Sequence, residues 1–235
     1  MTSGSRGPLA RARQTLTLPN LGWPSDAAGA RTLQEQLATR VVAAGSARRA
    51  SLVAGVDVHV RHETAIAVAA LVHIPTLELR ETATAEEPVG FPYLTGLLAF
   101  RELPAALAAV KRLRTTPQAV LVDGHGLAHP RRFGLACHLG LSLDLPTAGC
   151  AKTRLVGDHP MPDGPRGSQA ALTLRGEVVG AVLRTRADVS PVFVSVGHRL
   201  SLQAATALVL RCTGRFRQPE PLRQAHLAAR ALARA

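Results

Sequence analysis

The chain is poor in the residues that build disulfide or zinc scaffolds. Its 235 residues hold three cysteines, Cys137, Cys150 and Cys212, with no CxxC spacing among them. So odd and sparse a set excludes a disulfide framework and a zinc knuckle. Long apolar runs are missing too. The longest, Ala65–Val72, falls far short of the roughly 20 residues that span a bilayer. No apolar segment follows the basic N-terminus, so neither a membrane contact nor a secretory leader is expected. Lysine is nearly absent, with only Lys111 and Lys152, and aromatics are 3%. Acids number 16 against 28 Lys+Arg, which leaves +12 at pH 7. That excess, almost all arginine, points to a polyanionic partner, nucleic acid first among the candidates. Hydrophobic residues at 46% suffice for a packed core and exclude wholesale disorder. The expectation is a cytoplasmic, monomeric globular protein.

Residues 1–20 carry Arg6, Arg11 and Arg13 without an acid and read as a flexible basic tail, leaving 21–235 as one folded domain. Ser25 is placed to cap a helix running to about Val42. The period then changes to that of strands at Ser51–Val60, Thr64–Val72 and Thr76–Ala85, a three-strand antiparallel meander. Leu97–Arg101 and Pro104–Leu113 have helical spacing, with Pro104 in a first-turn position. Ala119–Val122 reads as a short buried strand, Arg131–Leu139 as a helix and Pro146–Cys150 as a strand. This β-α-β-α-β order suits parallel pairing. After a Pro/Gly-rich loop at Asp158–Ser168, Val178–Arg184 and Val192–Ser195 read as strands, and Ser201–Cys212 and Pro221–Ala233 as helices. The fold class is α/β: one mixed sheet, a meander followed by parallel strands, flanked by helices.

With only seven aspartates in the chain, an Asp inside an apolar strand is informative. Asp57 lies within GVDVHV; it is either a solvent-facing residue at a strand edge or a buried carboxylate that needs a partner. Asp123 ends the apolar run of LVDGHG, and strand ends of a parallel sheet are where ligands bind. Glu102, in LLAFRE, is either a solvated helix residue or a third acid at the same place. Converging carboxylates repel unless a cation lies between them, and hard oxygen donors suit Mg²⁺. A basic surface around carboxylate-held Mg²⁺ is the arrangement of a phosphodiester-cleaving enzyme. Tyr93, the only tyrosine, is either a core ring or a loop aromatic. His125 and His129 read as loop hydrogen-bonding residues, His138 as core. Arg131 and Arg132 either reach phosphate or cap a helix, and the run Arg211, Arg215 and Arg217 reads as a solvated face.

At these residues the chain resembles the endonuclease V family, the deoxyinosine 3′ endonucleases. The matching stretches are GVDV, FPYLTGLLAFRELP, LVDGHGLAHPRRFGLACHLG, AKTRL, RGS, GAVLRTR, GHRLSL and PEPLRQAH, in order across about residues 50–230. The resemblance implies an RNase H-like fold and a Mg²⁺ cofactor, with Mn²⁺ as a substitute. It implies DNA containing deoxyinosine as the partner, cut at the second phosphodiester 3′ to the lesion to leave 3′-OH and 5′-phosphate. Asp57, Asp123 and Glu102 take the place of the metal ligands, Lys152 that of a lysine near the scissile phosphate. His226 lies where relatives carry Asp or His. Pro92, Tyr93 and Leu94 correspond to a wedge entering DNA beside the lesion, and Leu98, Gly124, Gly126 and His129 to the pocket for the flipped base. The sequence departs from the family at Thr95, where the wedge commonly has a second proline, and at Val196, where a proline commonly precedes Gly-His-Arg. Two alternatives stay open: inosine in single-stranded RNA as substrate, or a non-catalytic nucleic-acid-binding module.

Overall fold

A computed structural model describes residues 23–232. The basic tail at 1–20 lies outside the described residues. The chain order is α1 (Ala27–Ala38), β1 (Leu52–Arg61), β2 (Thr64–His73), β3 (Glu78–Pro88), α2 (Ala99–Lys111), β4 (Ala119–Val122), α3 (Leu135–Leu143), β5 (Thr147–Ala151), β6 (Gln169–Leu174), β7 (Glu177–Leu183), β8 (Val192–His198), α4 (Leu202–Arg211) and α5 (Glu220–Leu232). The strands form one sheet in the order β3-β2-β1-β4-β5-β8-β7-β6. The meander β1-β2-β3 is antiparallel, β4 is parallel to β1 and β5 to β4, and β8, β7 and β6 close the far side antiparallel.

Alternation along the buried strands assigns the two faces. Ala54, Val56, Val120 and Val122 pack with Leu103, Leu107 and Leu139, so α2 and α3 cover one face. Val53, Leu121, Ala148 and Val194 pack with Leu208 and Leu222, so α4 and α5 cover the other. Odd positions of β1 therefore look toward α5. Gly55 is one of them, and a Cβ there would lie 2.1 Å from the Pro221 carbonyl carbon, so α5 rests directly on the β1 backbone.

Several boundaries differ from the sequence reading. Asp26, not Ser25, caps α1, its carboxylate accepting from Gly29 N–H at 2.7 Å. The helix stops at Ala38, and the N–H of Val42 donates instead to His198 Nδ1 at 3.2 Å. The two expected helical pieces around Pro104 are one helix, α2, with Pro104 inside it. Proline removes one i→i−4 bond, a loss offset by burial of Phe100, Leu103, Leu107 and Val110. α3 begins at Leu135, four residues later than expected, because Arg132 is left-handed (φ 54°) and Gly134 extended. β6 was not anticipated. It is partly exposed and pairs with β7 through a turn at Arg175-Gly176, both at positive φ, as a two-residue hairpin demands, while its other edge carries a single bridge from Thr173 to Asp158.

Candidate active site

The register of the parallel strands brings the acids together. Val56 pairs with Val122, and Asp123 N–H donates to the Val56 carbonyl at 2.9 Å. Asp57 and Asp123 thus leave adjacent strands at the same level. Asp57 is 7% exposed on a strand paired on both sides, which removes the strand-edge alternative. Glu102 comes from the first turn of α2. Burial pushes its carboxyl up to about 7, reinforced by the charges of Asp57 and Asp123. Asp57 is raised by burial and by Asp123, against the lowering hydrogen bond from His226. Two carboxyls raised by burial and by neighbouring acid charge, with Asp123 beside them, form a place for a cation.

Basic side chains already sit on two of these acids. Lys152, just past β5, places Nζ 2.8 Å from Asp123 Oδ2. The Lys152 carbonyl is in turn held by Arg217 Nη2 at 2.8 Å, which also donates to the Pro191 carbonyl. Arg211 likewise donates to the carbonyls of Ala47 and Ala50. Two members of the supposed solvated run therefore brace backbone. On Asp57, His226 Nδ1 lies 2.9 Å and His59 Nε2 3.2 Å from Oδ2. His226 reaches it because helix and strand advance together. Two strand residues from Gly55 to Asp57 rise about 6.6 Å, and four helix residues from Leu222 to His226 rise about 6 Å.

Beside the acids opens a cavity of about 300 Å³, lined by Tyr93, Leu98, Glu102, Asp123, Gly124, His125 and His129 among others. Tyr93 is 70% exposed at its rim, which removes the core-ring alternative. Pro92 is exposed as well, whereas Leu94 is partly buried against the Phe91–Phe100 cluster and anchors the loop. Arg101 holds this loop, with Nη1 donating to the Phe91 carbonyl at 3.0 Å and the guanidinium 5.7 Å from the Tyr93 ring centre. The Gly96 carbonyl receives three donors: Gln34 Nε2 at 3.0 Å, His129 Nε2 at 2.9 Å and Arg131 Nη2 at 2.7 Å. His129 Nδ1 accepts from Arg131 N–H, and burial lowers its pKa to about 4, so the ring is neutral with the proton on Nε2. Arg131 therefore serves the loop rather than a helix cap, while Arg132 pairs with Glu177. Gly126 does not line the cavity. It is buried beneath it, where a Cβ would lie 2.0 Å from the Val196 carbonyl oxygen, so it lets the loop settle on β8.

The family model of endonuclease V matches residues 35–227 of this chain. The chain belongs to the endonuclease V family. An endonuclease V of Nocardia farcinica is 50% identical over 215 residues, covering 90% of this chain and 95% of that one. The crystal structure of endonuclease V from Streptomyces avermitilis is similar with a TM-score of 0.87 at 43% identity, over 91% of this chain and 95% of that one. Endonuclease V of Ciona intestinalis, solved in complex with a 24mer DNA containing an inosine followed by a ribo-adenosine, is similar with a TM-score of 0.77 at 26% identity, over 88% and 97%. The expected RNase H-like fold holds. The protein is a nuclease that hydrolyses phosphodiester bonds, which sets aside the non-catalytic module. Among the described residues no helix is long and apolar enough to cross a membrane.

Within this endonuclease V the structure brings Asp57, Glu102, Asp123, Lys152 and His226 to one end of the central strands, with Tyr93, Leu98, Gly124 and His129 around the adjoining cavity. Sequence reasoning missed His59, Arg101 and Gln34. For His59 the signal was present: it stands two residues after Asp57 in a strand, hence on the same face.

Proposed function

We propose that this endonuclease V recognises deoxyinosine in DNA and cleaves the second phosphodiester bond 3′ to it, leaving 3′-OH and 5′-phosphate, as a cytoplasmic monomer. One observation carries the reading: a single cavity has an exposed aromatic ring at its rim and two of the three carboxylates in its wall. Base reading and bond cleavage thus share one space. The Ciona complex with inosine-containing DNA supports the choice of base.

Asp57, Glu102 and Asp123 offer only hard oxygens, and burial and neighbouring acid charge raise the carboxyls of Asp57 and Glu102, a donor set that fits Mg²⁺ and also Mn²⁺. When bound there, such an ion supplies Lewis-acid neutralisation of the phosphodiester and activation of water. The protein side chains do the remaining work. Tyr93 fills the stack vacated by the extruded base, whose unstacking costs a few kcal/mol. Gly124 and His125 line the cavity, and none of the described hydrogen bonds uses their backbone N–H groups. A free N–H there donates to the carbonyl oxygen of hypoxanthine and is left unpaired by the amine of adenine. His129 keeps the loop and the cavity wall together through Gly96. Lys152 stands ready to exchange Asp123 for a phosphate oxygen and to offset its charge.

The test is nicking of an inosine duplex against an unmodified duplex, with Mg²⁺ or with chelator. Asp57→Asn and Asp123→Asn should each abolish nicking while inosine-duplex binding stays within a few-fold of the parent. Undiminished nicking by either variant sinks the assignment. A second reading, cleavage of inosine RNA, is favoured by the ribo-adenosine that follows inosine in the Ciona complexes. Matched deoxyinosine and riboinosine strands decide between the two, since a 2′-OH contact is the only chemical difference.

A further inference from the structure

The loop that carries Tyr93 ends in a tight turn. Leu97 N–H donates to the Leu94 carbonyl at 2.9 Å, and Gly96, the third residue of the turn, has φ 79°. These features define a type II turn with Thr95 in its second position. Proline is favoured in that position because its ring fixes φ. Thr95 is exposed and supplies no such lock. The turn is held from beneath instead. Gln34 on α1 is fully buried and stands 62 residues before Gly96. Its Nε2 donates to the Gly96 carbonyl at 3.0 Å and to the Phe133 carbonyl at 3.1 Å. Its Oε1 accepts from Arg131 Nε at 2.6 Å, and Arg131 Nη2 donates to the same Gly96 carbonyl at 2.7 Å. Turned over, the amide would set its oxygen against two carbonyls and its NH₂ against a guanidinium. Only one orientation is allowed, and neither Glu nor an apolar side chain reproduces it. One buried amide thus ties α1, the turn below Tyr93 and the segment entering α3.

We propose that Gln34 is a positioning residue for Tyr93: through the Gly96 carbonyl it fixes the turn, so that the exposed ring enters the base stack already placed. This rests on the wedge role given to Tyr93 above and extends it to α1, from which no residue lines the cavity. Without this hold the loop has to be ordered at the moment of entry. Fixing the backbone of a single residue costs a factor of about 5 to 30.

Tyr93 is the only tyrosine, so fluorotyrosine labels it alone and its ¹⁹F resonance reports on the loop without DNA. Gln34→Met, checked for folding by urea unfolding, should move that resonance toward the position of free fluorotyrosine. It should also lower nicking of inosine duplex by the factor above, with a single-stranded inosine substrate losing far less. Thr95→Pro gives the turn the lock that Gln34 no longer provides. None of the described hydrogen bonds uses the Thr95 N–H, so the proline breaks none. It should return most of the lost nicking in Gln34→Met and give a smaller gain in the parent. A Gln34 that only packs the core predicts lower stability, an unmoved resonance and no rescue, and that result overturns the proposal. An equal effect of Thr95→Pro in both backgrounds overturns it too. Where Gln34→Met does not fold, Arg131→Met carries the same expectations: at a partly exposed residue it removes the partner that orients the amide and one donor to Gly96. Equal losses of Tyr93→Ala on duplex and single strand overturn the wedge reading, and the ¹⁹F shift still decides whether Gln34 holds the loop. A wedge-like loss in Tyr93→Ala beside a still resonance in Gln34→Met overturns the role of Gln34 alone.

Discussion

Tyr93 shows how much a single residue can carry. Its ring is 70% exposed, an unfavourable setting for a large aromatic unless a partner covers it. Arg101 over the ring and the donors on the Gly96 carbonyl fix the loop beneath it, so the ring is presented rather than loose. An aromatic platform for a base is worth ~1–3 kcal/mol by alanine substitution, about 5- to 150-fold. Tyr93→Ala should therefore lower the nicking rate on inosine duplex at limiting enzyme by a factor in that range. A single-stranded inosine substrate should lose far less, because no stack has to be refilled. Equal losses on the two substrates would show that Tyr93 does not act as a wedge. The roles suggested for Asp57, Asp123 and Tyr93 came from the stretches that resemble the family. Their pairing with His226, Lys152 and Arg101 was not legible, because partners as far apart as Asp57 and His226 meet only once α5 lies on β1.

At the scale of elements, that contact between α5 and β1 is the device that assembles the Asp57 side of the site. Gly55 permits it: a Cβ at this position would overlap the Pro221 and Leu222 backbone at 2.1–2.5 Å. Backbone atoms cannot swing aside as a flexible side chain can, so the helix must lift. Gly55→Ala should cost on the order of 3 kcal/mol, the upper end of overpacking effects, as read by urea unfolding. The folded fraction should also lose the Asp57 contact of His226. A variant within 1 kcal/mol of the parent would show that α5 is not seated on Gly55. β1 and β2 were legible because Val- and Ala-rich runs buried on both faces leave little ambiguity, and β3 because its residues alternate. Element ends were not. Val42 leaves α1 for His198, Pro104 is carried inside α2 by the burial around it, and β6 presents half its length to solvent. In each case tertiary contacts overrule a local preference.

For the whole molecule, on the proposed DNA substrate the +12 charge should act on the backbone and not on the lesion. Raising NaCl from 50 to 200 mM should therefore weaken binding of inosine and unmodified duplex by the same factor, measured by anisotropy with the Asp57→Asn variant. A salt-dependent ratio between them would mean that arginines take part in base reading. Charge inside the fold follows a different rule, and His138 isolates it. The ring is fully buried on α3 among Trp23, Phe100 and Phe133, and neither of its nitrogens has a hydrogen-bond partner. Burial lowers its pKa to about 3, against 6.5 for an ordinary histidine. Below pH 6.5 the unfolded chain takes up this proton and the folded chain does not, so stability is lost as pH falls. The loss from His138 is ~1.4 kcal/mol per pH unit, or about 2 kcal/mol at pH 5. His138→Phe keeps a flat ring in an aromatic setting and removes the titration. Extra volume in the core shifts its stability by a constant at every pH. The difference in unfolding free energy between variant and parent should consequently grow in favour of the variant from pH 6.5 to pH 5, whatever its value at neutrality. Parallel pH profiles would show that His138 is protonated or solvated in the folded protein.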